Sequence, residues 1–297
     1  MFGARPLTPS PSTLPARAGI GLKTPHFSPF LDSRGGGATG AVPSWVEVHP
    51  QNFMMAGGPM HRWLAAIRDA APVSFHSVGL SIGNPEGHDR DELDRLAALV
   101  RRYQPAMVSD HLSWSSLAGE QLPDLLPLPM TEESLEHFVC EVGIIQDRLG
   151  RQILIENPSR MVAFADDTYE EADFLATLAK RAGCGLLIDV NNILVARTNV
   201  GLDPDAYIDA LPHDAIGEIH IAGHTVEEHA DGALLAIDDH GSEVSEECWA
   251  LLEALLDRTG PRPVLLERDN DVPAFEDLVA EAARADRLLV KEIRHAA

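Results

Sequence analysis

Eight short apolar segments recur along the chain, and longer segments with helical periodicity separate them. The apolar segments lie at residues 19–22, 46–49, 72–76, 106–110, 153–156, 185–189, 218–221 and 264–267. The clearest helical patterns lie at residues 61–70, 89–102, 131–149, 169–182, 245–257 and 274–283. Several apolar segments, such as ILIE and GLLID, run without interruption into an acidic residue, as parallel strands buried on both faces do. The alternation therefore predicts an α/β protein with a parallel sheet.

A closed barrel fits this pattern better than an open sheet. The chain has neither a G-x-G-x-x-G turn nor a Walker A loop, the phosphate-binding signatures of nucleotide-binding open sheets. Eight strands in 297 residues suit one (β/α)8 TIM barrel, and we expect a single domain over residues 19–297. Residues 1–18 are rich in Pro, Ser and Thr without periodicity and predict a disordered tail. The segment SRGGGATG at residues 33–40 predicts a mobile loop.

Composition excludes several classes of partner. The formal charge of −23 argues against nucleic acid, because a protein that binds a phosphate backbone needs a basic face. No apolar run reaches the roughly 18 residues of a membrane span, and no signal-peptide pattern is present. The three cysteines form no CxxC pair, which argues against disulfides and a structural zinc site and favours the cytoplasm. Apolar neighbours predict that Cys140 and Cys184 are buried.

Residue types that bind metal ions lie at the ends of most predicted strands. They are His49, His76, Asp110, His111, Glu156, Asp189, Asn192, His220 and Glu267, and the segment AIDDHG adds Asp238 and His240. In a TIM barrel the carboxyl ends of all strands converge on one mouth, where active sites are built. We therefore expect these side chains to lie close together.

Electrostatics favours a metal cluster at that mouth. Several carboxylates in a half-buried pocket repel one another and are costly to desolvate unless a cation compensates them. A mixture of imidazole and carboxylate suits iron, manganese or zinc, whereas oxygen ligands alone would suit calcium or magnesium. A bridging carboxylate can hold two ions, so the pattern predicts two or three metal ions. The alternative is that some of the carboxylates form inter-strand salt bridges with Lys23 or Arg268.

Other polar residues carry weaker predictions. Four asparagines beside the strand ends could orient metal ligands or could cap helices: Asn52, Asn157, Asn191 and Asn270. His224 follows His220 by four residues and could contact substrate or lie on the surface. Asp124 lies in the proline-rich segment LPDLLPLP, which we expect to be a loop after the fourth strand. In that loop it could belong to a lid or contact substrate. We predict that the remaining histidines of helical and loop segments lie on the surface: His61, His88, His137, His213, His229 and His295.

These motifs are similar to those of the DUF692 family (UPF0276), the multinuclear non-haem iron-dependent oxidative enzymes. The matching segments, in order between residues 19 and 285, are GIGLK, WVEVHPQNFM, VSFHSVGLSIG, VSDHLSW, LPDLLPLP, LIENPS, GCGLLIDVNN, EIHIAGH, IDDHG and LLERDNDVP. The resemblance covers nearly the whole chain. It implies a barrel like those of xylose isomerase and endonuclease IV.

The resemblance also implies a cofactor of two or three iron ions of mixed Fe(II)/Fe(III) valence. The residues that match the iron ligands are His76, His111, Glu156, Asp189, Asn192, His220, Asp238, His240 and Glu267. Two positions depart from the family pattern. Gln51 replaces a common Glu, which weakens any assignment of this position as a ligand, and Asp110 replaces the Glu of an SEH motif with a shorter acid.

By analogy with characterised relatives, the substrate would be a Cys-containing ribosomally synthesised peptide. Dioxygen would be the co-substrate, and a partner protein often holds the leader peptide. The resemblance implies that the substrate thiolate binds one iron and that hydrogen is removed from its Cβ. We expect Asp110, Asn192 and His224 to be the catalytic residues.

Three other functions use a similar ligand set. A zinc- or manganese-dependent phosphoester hydrolase of the endonuclease IV-like type would activate water, although the acidic net charge disfavours a DNA substrate. A metal-storing or scaffold protein would need no open mouth. A sugar isomerase is disfavoured because no candidate catalytic Lys ends a strand.

Overall fold

The strands close into a barrel in the computed structural model, which describes residues 13–34 and 42–296. The eight barrel strands are β1 (Ala18–Gly21), β2 (Trp45–Val48), β3 (Val73–His76), β4 (Met107–His111), β7 (Leu154–Glu156), β8 (Gly185–Asp189), β9 (Ile216–Ile221) and β12 (Val264–Leu266). All pairings between them are parallel, and β1 joins β12 to β2 and completes the closed sheet. The predicted (β/α)8 barrel is confirmed, with each predicted segment within two residues of its strand.

Helices cover the outside of the barrel between successive strands. They are α1 (Phe27–Asp32), α2 (Pro59–Ala70), α3 (Arg90–Tyr103), α4 (Glu132–Leu149), α5 (Glu171–Ala182), α6 (Val190–Val200), α7 (Pro204–Ala210), α8 (Glu246–Thr259) and α9 (Phe275–Ala296). The sequence does not predict α1, α6 or α7. The first and last are short, and α6 buries seven consecutive residues from 190 to 196, so it has no amphipathic period.

Two antiparallel hairpins extend the loops at the carboxyl end of the barrel. One pairs β5 (Trp114–Leu117) with β6 (Glu120–Leu126), and the other pairs β10 (Thr225–Glu228) with β11 (Leu234–Ile237). The prediction of a loop around Asp124 is therefore wrong, because Asp124 lies in β6. Strand β6 pairs with β5 on one side only, and edge strands of this kind tolerate proline.

The first described residues, 13–17, pack against the barrel and α9. Leu14 is buried, and the Arg17 guanidinium donates two hydrogen bonds of 2.9 Å to the Asp286 carboxylate on α9. Residues 13–18 of the predicted tail thus lie against the barrel, and residues 1–12 lie outside the described residues. Of the predicted loop at 33–40, Ser33 and Arg34 continue helix α1 in a π-type turn, and the rest is outside the described residues.

Two predictions about burial are wrong. Cys140 is exposed, because its position on α4 turns it away from the core while Val142 faces inward. His61, predicted on the surface, is buried, with Nδ1 2.7 Å from the Tyr103 hydroxyl. His88 is also enclosed, with Nδ1 2.5 Å from Glu141 Oε2. Cys184 is buried as predicted.

We predict that Gly19→Ala destabilises the barrel. A Cβ at this position would overlap the indole ring of Trp45, which is fully buried on the neighbouring strand, so overpacking should cost about 1–3 kcal/mol. Gly143→Ala is the matched control, since α4 has open space there and the change should stabilise by about 0.5–1 kcal/mol. The measurement is the free energy of unfolding in urea. Equal stability of Gly19→Ala and wild type would contradict the close packing of β1 on β2.

Candidate metal centre

The carboxyl ends of the barrel strands bring the predicted ligands together around one mouth. The strand register sets neighbours directly, since His111 pairs with Glu156 and Asp189 pairs with His220. A pocket of 380 Å³ opens above them, within the size range of small-molecule sites. Seven of the nine predicted ligands line it: His76, His111, Glu156, Asn192, Asp238, His240 and Glu267. Asp189 and His220 lie fully buried beneath this layer.

The first candidate ligand group joins β3, β4 and β7. His76 Nε2, His111 Nε2 and Glu156 Oε2 lie 3.1 Å from one another. Two neighbouring ligand atoms bound at about 2.1 Å to one metal ion are separated by about 3.0–3.4 Å, so this triangle has the right size. The Ser109 hydroxyl lies 2.7 Å from His76 Nδ1 and leaves Nε2 facing the pocket.

Charge is concentrated in this group. Burial alone would raise the pKa of Glu156. The attraction of His111 and His76 outweighs the effect of burial and holds this pKa at about 2. Burial alone would lower the pKa of His111, but Glu156 and Asp110 raise it to about 9. In the absence of a metal ion, protonated imidazole thus supplies the positive charge that Glu156 requires.

The second candidate group joins Asp189, His240 and Glu267, with Asp238 beside it. His240 Nε2 lies 2.8 Å from Asp238 Oδ1, and its Nδ1 lies 3.7 Å from Glu267 Oε2. The backbone of His240 has a φ of 48°, a left-handed conformation that turns the ring back toward the pocket. Burial and repulsion from Asp238 and Glu156 raise the pKa of Asp189 to about 7.

His220 connects these groups to a deeper layer of acids that the sequence does not predict. Its Nδ1 lies 3.2 Å from Glu267 Oε2, and its Nε2 lies 3.5 Å from both Glu47 Oε1 and Glu218 Oε1. Burial and repulsion from Glu47 raise the pKa of Glu218 to about 8. The available signal is the two-residue strand period, which places Glu218 on the same inward face as His220.

Asp269 is a further residue that the sequence does not single out. It follows Glu267 by two residues, and its Oδ2 lies 3.4 Å from His240 Nδ1. Lys23 contacts Asp269, and Lys23 Nζ lies 3.1 Å from His49 Nε2. His49, Glu267 and Asp269 form a third group that could hold an ion.

The alternative of inter-strand salt bridges does not account for the predicted ligands. Lys23 pairs with Asp269, and Arg268 pairs with Glu281 at 3.3 Å. Among the described residues, the ion pairs of Glu156 and Glu267 are made only with histidines.

The donor atoms in this mouth fit a metal cluster. Among the described residues, three of these atoms are buried with neither a hydrogen bond nor an ion pair within 3.5 Å: His111 Nδ1, Asp189 Oδ2 and Asn192 Oδ1. Leaving such atoms unpaired costs roughly 1–3 kcal/mol each, more for charged groups, unless a cation binds them. Their mixture of imidazole nitrogen and carboxylate oxygen suits a first-row transition metal.

The three predicted catalytic residues take different places. Asn192 lines the pocket, and its Nδ2 donates to Glu156 Oε1 at 3.3 Å. Asp110 lies behind His111, where its carboxylate accepts from the backbone N–H of Leu80 at 3.3 Å. His224 lies outside the pocket lining, with Nδ1 2.7 Å from Asn191 Oδ1. The structure thus brings only Asn192 of the three to the pocket wall.

Of the four predicted asparagines, Asn191 and Asn157 contact predicted ligands rather than cap helices, whereas Asn270 donates to the Asp239 carbonyl at 2.6 Å. Asn191 Nδ2 donates to Asp238 Oδ1 at 2.8 Å, so His224 and Asn191 form a chain behind that carboxylate. Asn157 exchanges two hydrogen bonds with the backbone of Asp189, of 2.7 and 3.0 Å. Gln51 does not line the pocket. Its Nε2 donates to Ser77 Oγ and to Glu92 Oε1, both at 2.9 Å.

The rim of the pocket is acidic and partly apolar. Asp124 and Leu126 of β6 form one side, Asp239 lies across from them, and Met161 is exposed at the edge. Within the described part of the chain, no Lys or Arg lines this pocket. None of the described helices has the length and apolar character to cross a membrane.

Comparison with known proteins gives the family. Residues 17–290 match the family described as "RiPP precursor modification enzyme MbnB/TglH/ChrH". A UPF0276 protein from Caulobacter sp. (strain K31) is 47% identical over 272 residues, which cover 92% of this chain and 96% of the relative.

Solved structures that are similar share the barrel alone. A xylose isomerase-like TIM barrel protein from Mycobacterium smegmatis, in complex with magnesium, has a TM-score of 0.59 and 14% identity over 95% of this chain and 98% of its own. Endonuclease IV from Thermus thermophilus has a TM-score of 0.58 and 16% identity, covering 93% and 99% of the two chains. The match across the whole barrel and the close relatives lead to one conclusion: this chain belongs to the MbnB/TglH/ChrH family of RiPP precursor modification enzymes, the DUF692 (UPF0276) family that its motifs resemble.

Proposed function

We propose that this chain is an iron- and dioxygen-dependent oxidase that modifies cysteine residues of a ribosomally synthesised precursor peptide. Two or three iron ions of mixed valence would be its cofactor, and a second protein would present the leader peptide. A cytoplasmic location would keep the substrate thiol reduced. Family membership supports a peptide substrate.

The observation that carries the proposal is the sharing of one carboxylate among several imidazoles. Glu267 Oε2 lies 3.2 Å from His220 Nδ1 and 3.7 Å from His240 Nδ1, while its Oε1 lies 3.9 Å from His49 Nε2. A carboxylate with ligand partners on both oxygens is suited to bridging two ions. The proposed ligands are the nine residues predicted for them, with Asp269 and His49 as additions.

The residues of this chain would bind and orient the reactants. Bound iron would relay electrons from the peptide to dioxygen and would offer open coordination positions to both reactants. Ser109 fixes the His76 ring, and Asn191 fixes the Asp238 carboxylate, so the ligand atoms are held before substrate enters. The rim formed by Leu126 and Met161 would exclude water from the substrate side chain.

The pocket disfavours the alternative, a zinc- or manganese-dependent phosphoester hydrolase. An anionic phosphate would meet Asp124, Asp239 and Asp269, and no described Lys or Arg lines the wall to bind it. The likeness to endonuclease IV is one of fold alone.

We predict that His111→Ala and Glu267→Gln lose most of their iron after anaerobic purification. Loss of such a group removes one corner of a ligand set, and affinity should fall by at least roughly 10–100-fold. The control is His229→Ala, an exposed histidine remote from the pocket lining. Elemental analysis of bound metal is the measurement. Equal iron in all three variants would refute the ligand assignment, and full zinc occupancy in the wild type would refute iron.

We predict that Asn191 contributes to metal affinity although it does not line the pocket. Asn191→Ala removes the donor to Asp238 and the contact of His224, so we expect metal affinity to fall roughly tenfold in a chelator competition. Because His224 acts through Asn191, adding His224→Ala should cost little more. Additive losses would show that His224 acts independently.

Oxygen consumption tests the reaction itself. With a synthetic Cys-containing peptide, the iron-loaded protein should consume oxygen and change the peptide's mass. The same peptide with Ser in place of Cys should give neither effect. Iron-independent hydrolysis of p-nitrophenyl phosphate by the zinc-loaded protein, without oxygen consumption, would favour the hydrolase.

A further inference from the structure

A second cavity lies beside the metal pocket, on the other side of the segment that follows β7. It has a volume of 740 Å³ and is formed by this segment, the start of α5, and the turn between α6 and α7. We name it the side cleft. Residues 158, 159 and 161 line the metal pocket, whereas residues 160, 163 and 164 line the side cleft. The two cavities therefore share one wall.

Polar side chains joined by hydrogen bonds form the floor of the side cleft. Arg160 and Glu171 are more than nine-tenths buried, and the Tyr207 hydroxyl donates to Glu171 Oε1 at 2.6 Å. Arg160 Nη2 donates to Asp167 Oδ2 at 2.9 Å, so this donor is already committed. Glu171 Oε2 has no hydrogen-bond partner, and its nearest cation is Arg160 Nε at 3.8 Å. Glu171 thus lines the floor of the cleft with a carboxylate that has one oxygen buried without a hydrogen bond.

The charge of the side cleft selects the ligand. Five carboxylates line it against one guanidinium: Asp167, Glu170, Glu171, Asp173 and Asp203 against Arg160. An anion would be repelled, whereas a cation would compensate the buried acid. Burial raises the pKa of Glu171 to about 7, with Tyr207 and Arg160 opposing, which is consistent with a carboxylate short of positive charge.

The remaining walls are apolar. Phe164, Leu202 and Ala206 line the side cleft together with the Tyr207 ring. A long aliphatic stem that carries a charged head suits such a site, because the stem packs on apolar surface while the head reaches the carboxylate. Arginine and lysine side chains have this form.

We propose that the side cleft binds the cationic side chain of an arginine or lysine in the peptide substrate. The peptide identity of the ligand rests on the proposed function, but binding itself requires neither metal nor oxygen. Because the metal pocket and the side cleft share a wall, a basic residue near the reacting cysteine would reach over that wall. The side cleft would thereby set which cysteine of the peptide enters the metal pocket.

Calorimetric titration of the full chain at pH 8 tests the proposal. The probe is the blocked peptide acetyl-Ala-Ala-Arg-Ala-Ala-amide, and its citrulline analogue removes the charge while keeping the shape. We expect the arginine peptide to bind at least tenfold more tightly than the citrulline peptide. Glu171→Gln should lose this preference, while the matched control Glu136→Gln, an exposed acid on α4, should keep it.

A second variant tests the side cleft without a substitution at the buried Glu171. Glu170→Gln combined with Asp173→Asn changes two exposed acids of the rim that make no side-chain cap to α5, so the fold should be unaffected. This variant should weaken the arginine peptide severalfold, and added salt should reduce the difference from wild type.

Several results would overturn the proposal. They are no binding of the arginine peptide at millimolar concentration, equal binding of the citrulline peptide, or unchanged binding in both cleft variants. Tighter binding of free spermidine than of the arginine peptide would assign the side cleft to a polyamine instead. Because none of these measurements uses iron or turnover, their outcome is separate from that of the proposed oxidase activity.

Discussion

The structure depends on charge compensation at the mouth of its barrel. Six carboxylates at or beside it have at most 3% of their surface exposed: Glu47, Asp110, Glu156, Asp189, Glu218 and Glu267. Each would cost several kcal/mol to bury alone. Imidazoles from neighbouring strands lie between them, and His220, with no exposed surface, contacts acids above and below. The mouth is consequently organised in two layers, an open one that lines the pocket and a closed one that lies beneath it.

The barrel and most of the mouth could be predicted from the sequence, because strand-end residues of a parallel barrel must converge. Prediction worked where position along a strand determines position in space, as for His76, Glu156 and Asp189. It failed where a side chain's surroundings come from elsewhere in the chain. Glu47 lies inside a strand beside a predicted end and gives no local signal of its partner Glu218, which follows it by more than 170 residues. The direction in which His224 points depends on Asn191, and no periodicity encodes that contact.

The segment after β7 shows how one loop serves two cavities. Asn199 on α6 holds it, since its Nδ2 donates to the Arg160 carbonyl at 3.1 Å and to the Ala236 carbonyl at 2.9 Å. The backbone N–H of Ala236 returns a hydrogen bond of 2.8 Å to Asn199 Oδ1. The loop and β11 are thus joined through one amide, and Asp238 follows β11 directly. The same amide therefore tethers the wall between the two cavities to the hairpin that carries Asp238.

The closure of the sheet has a consequence for the order of events during synthesis. β1 pairs with β12, so the first and last strands of the barrel are neighbours. Glu267 comes immediately after β12 and contacts His49, which follows β2, and His220, which lies in β9. A nascent chain that does not yet include residues 264–267 has neither the closed sheet nor the carboxylate shared by the second and third ligand groups. The candidate metal centre can therefore be complete only after β12 and Glu267 have been synthesised, although most of its side chains come from earlier strands.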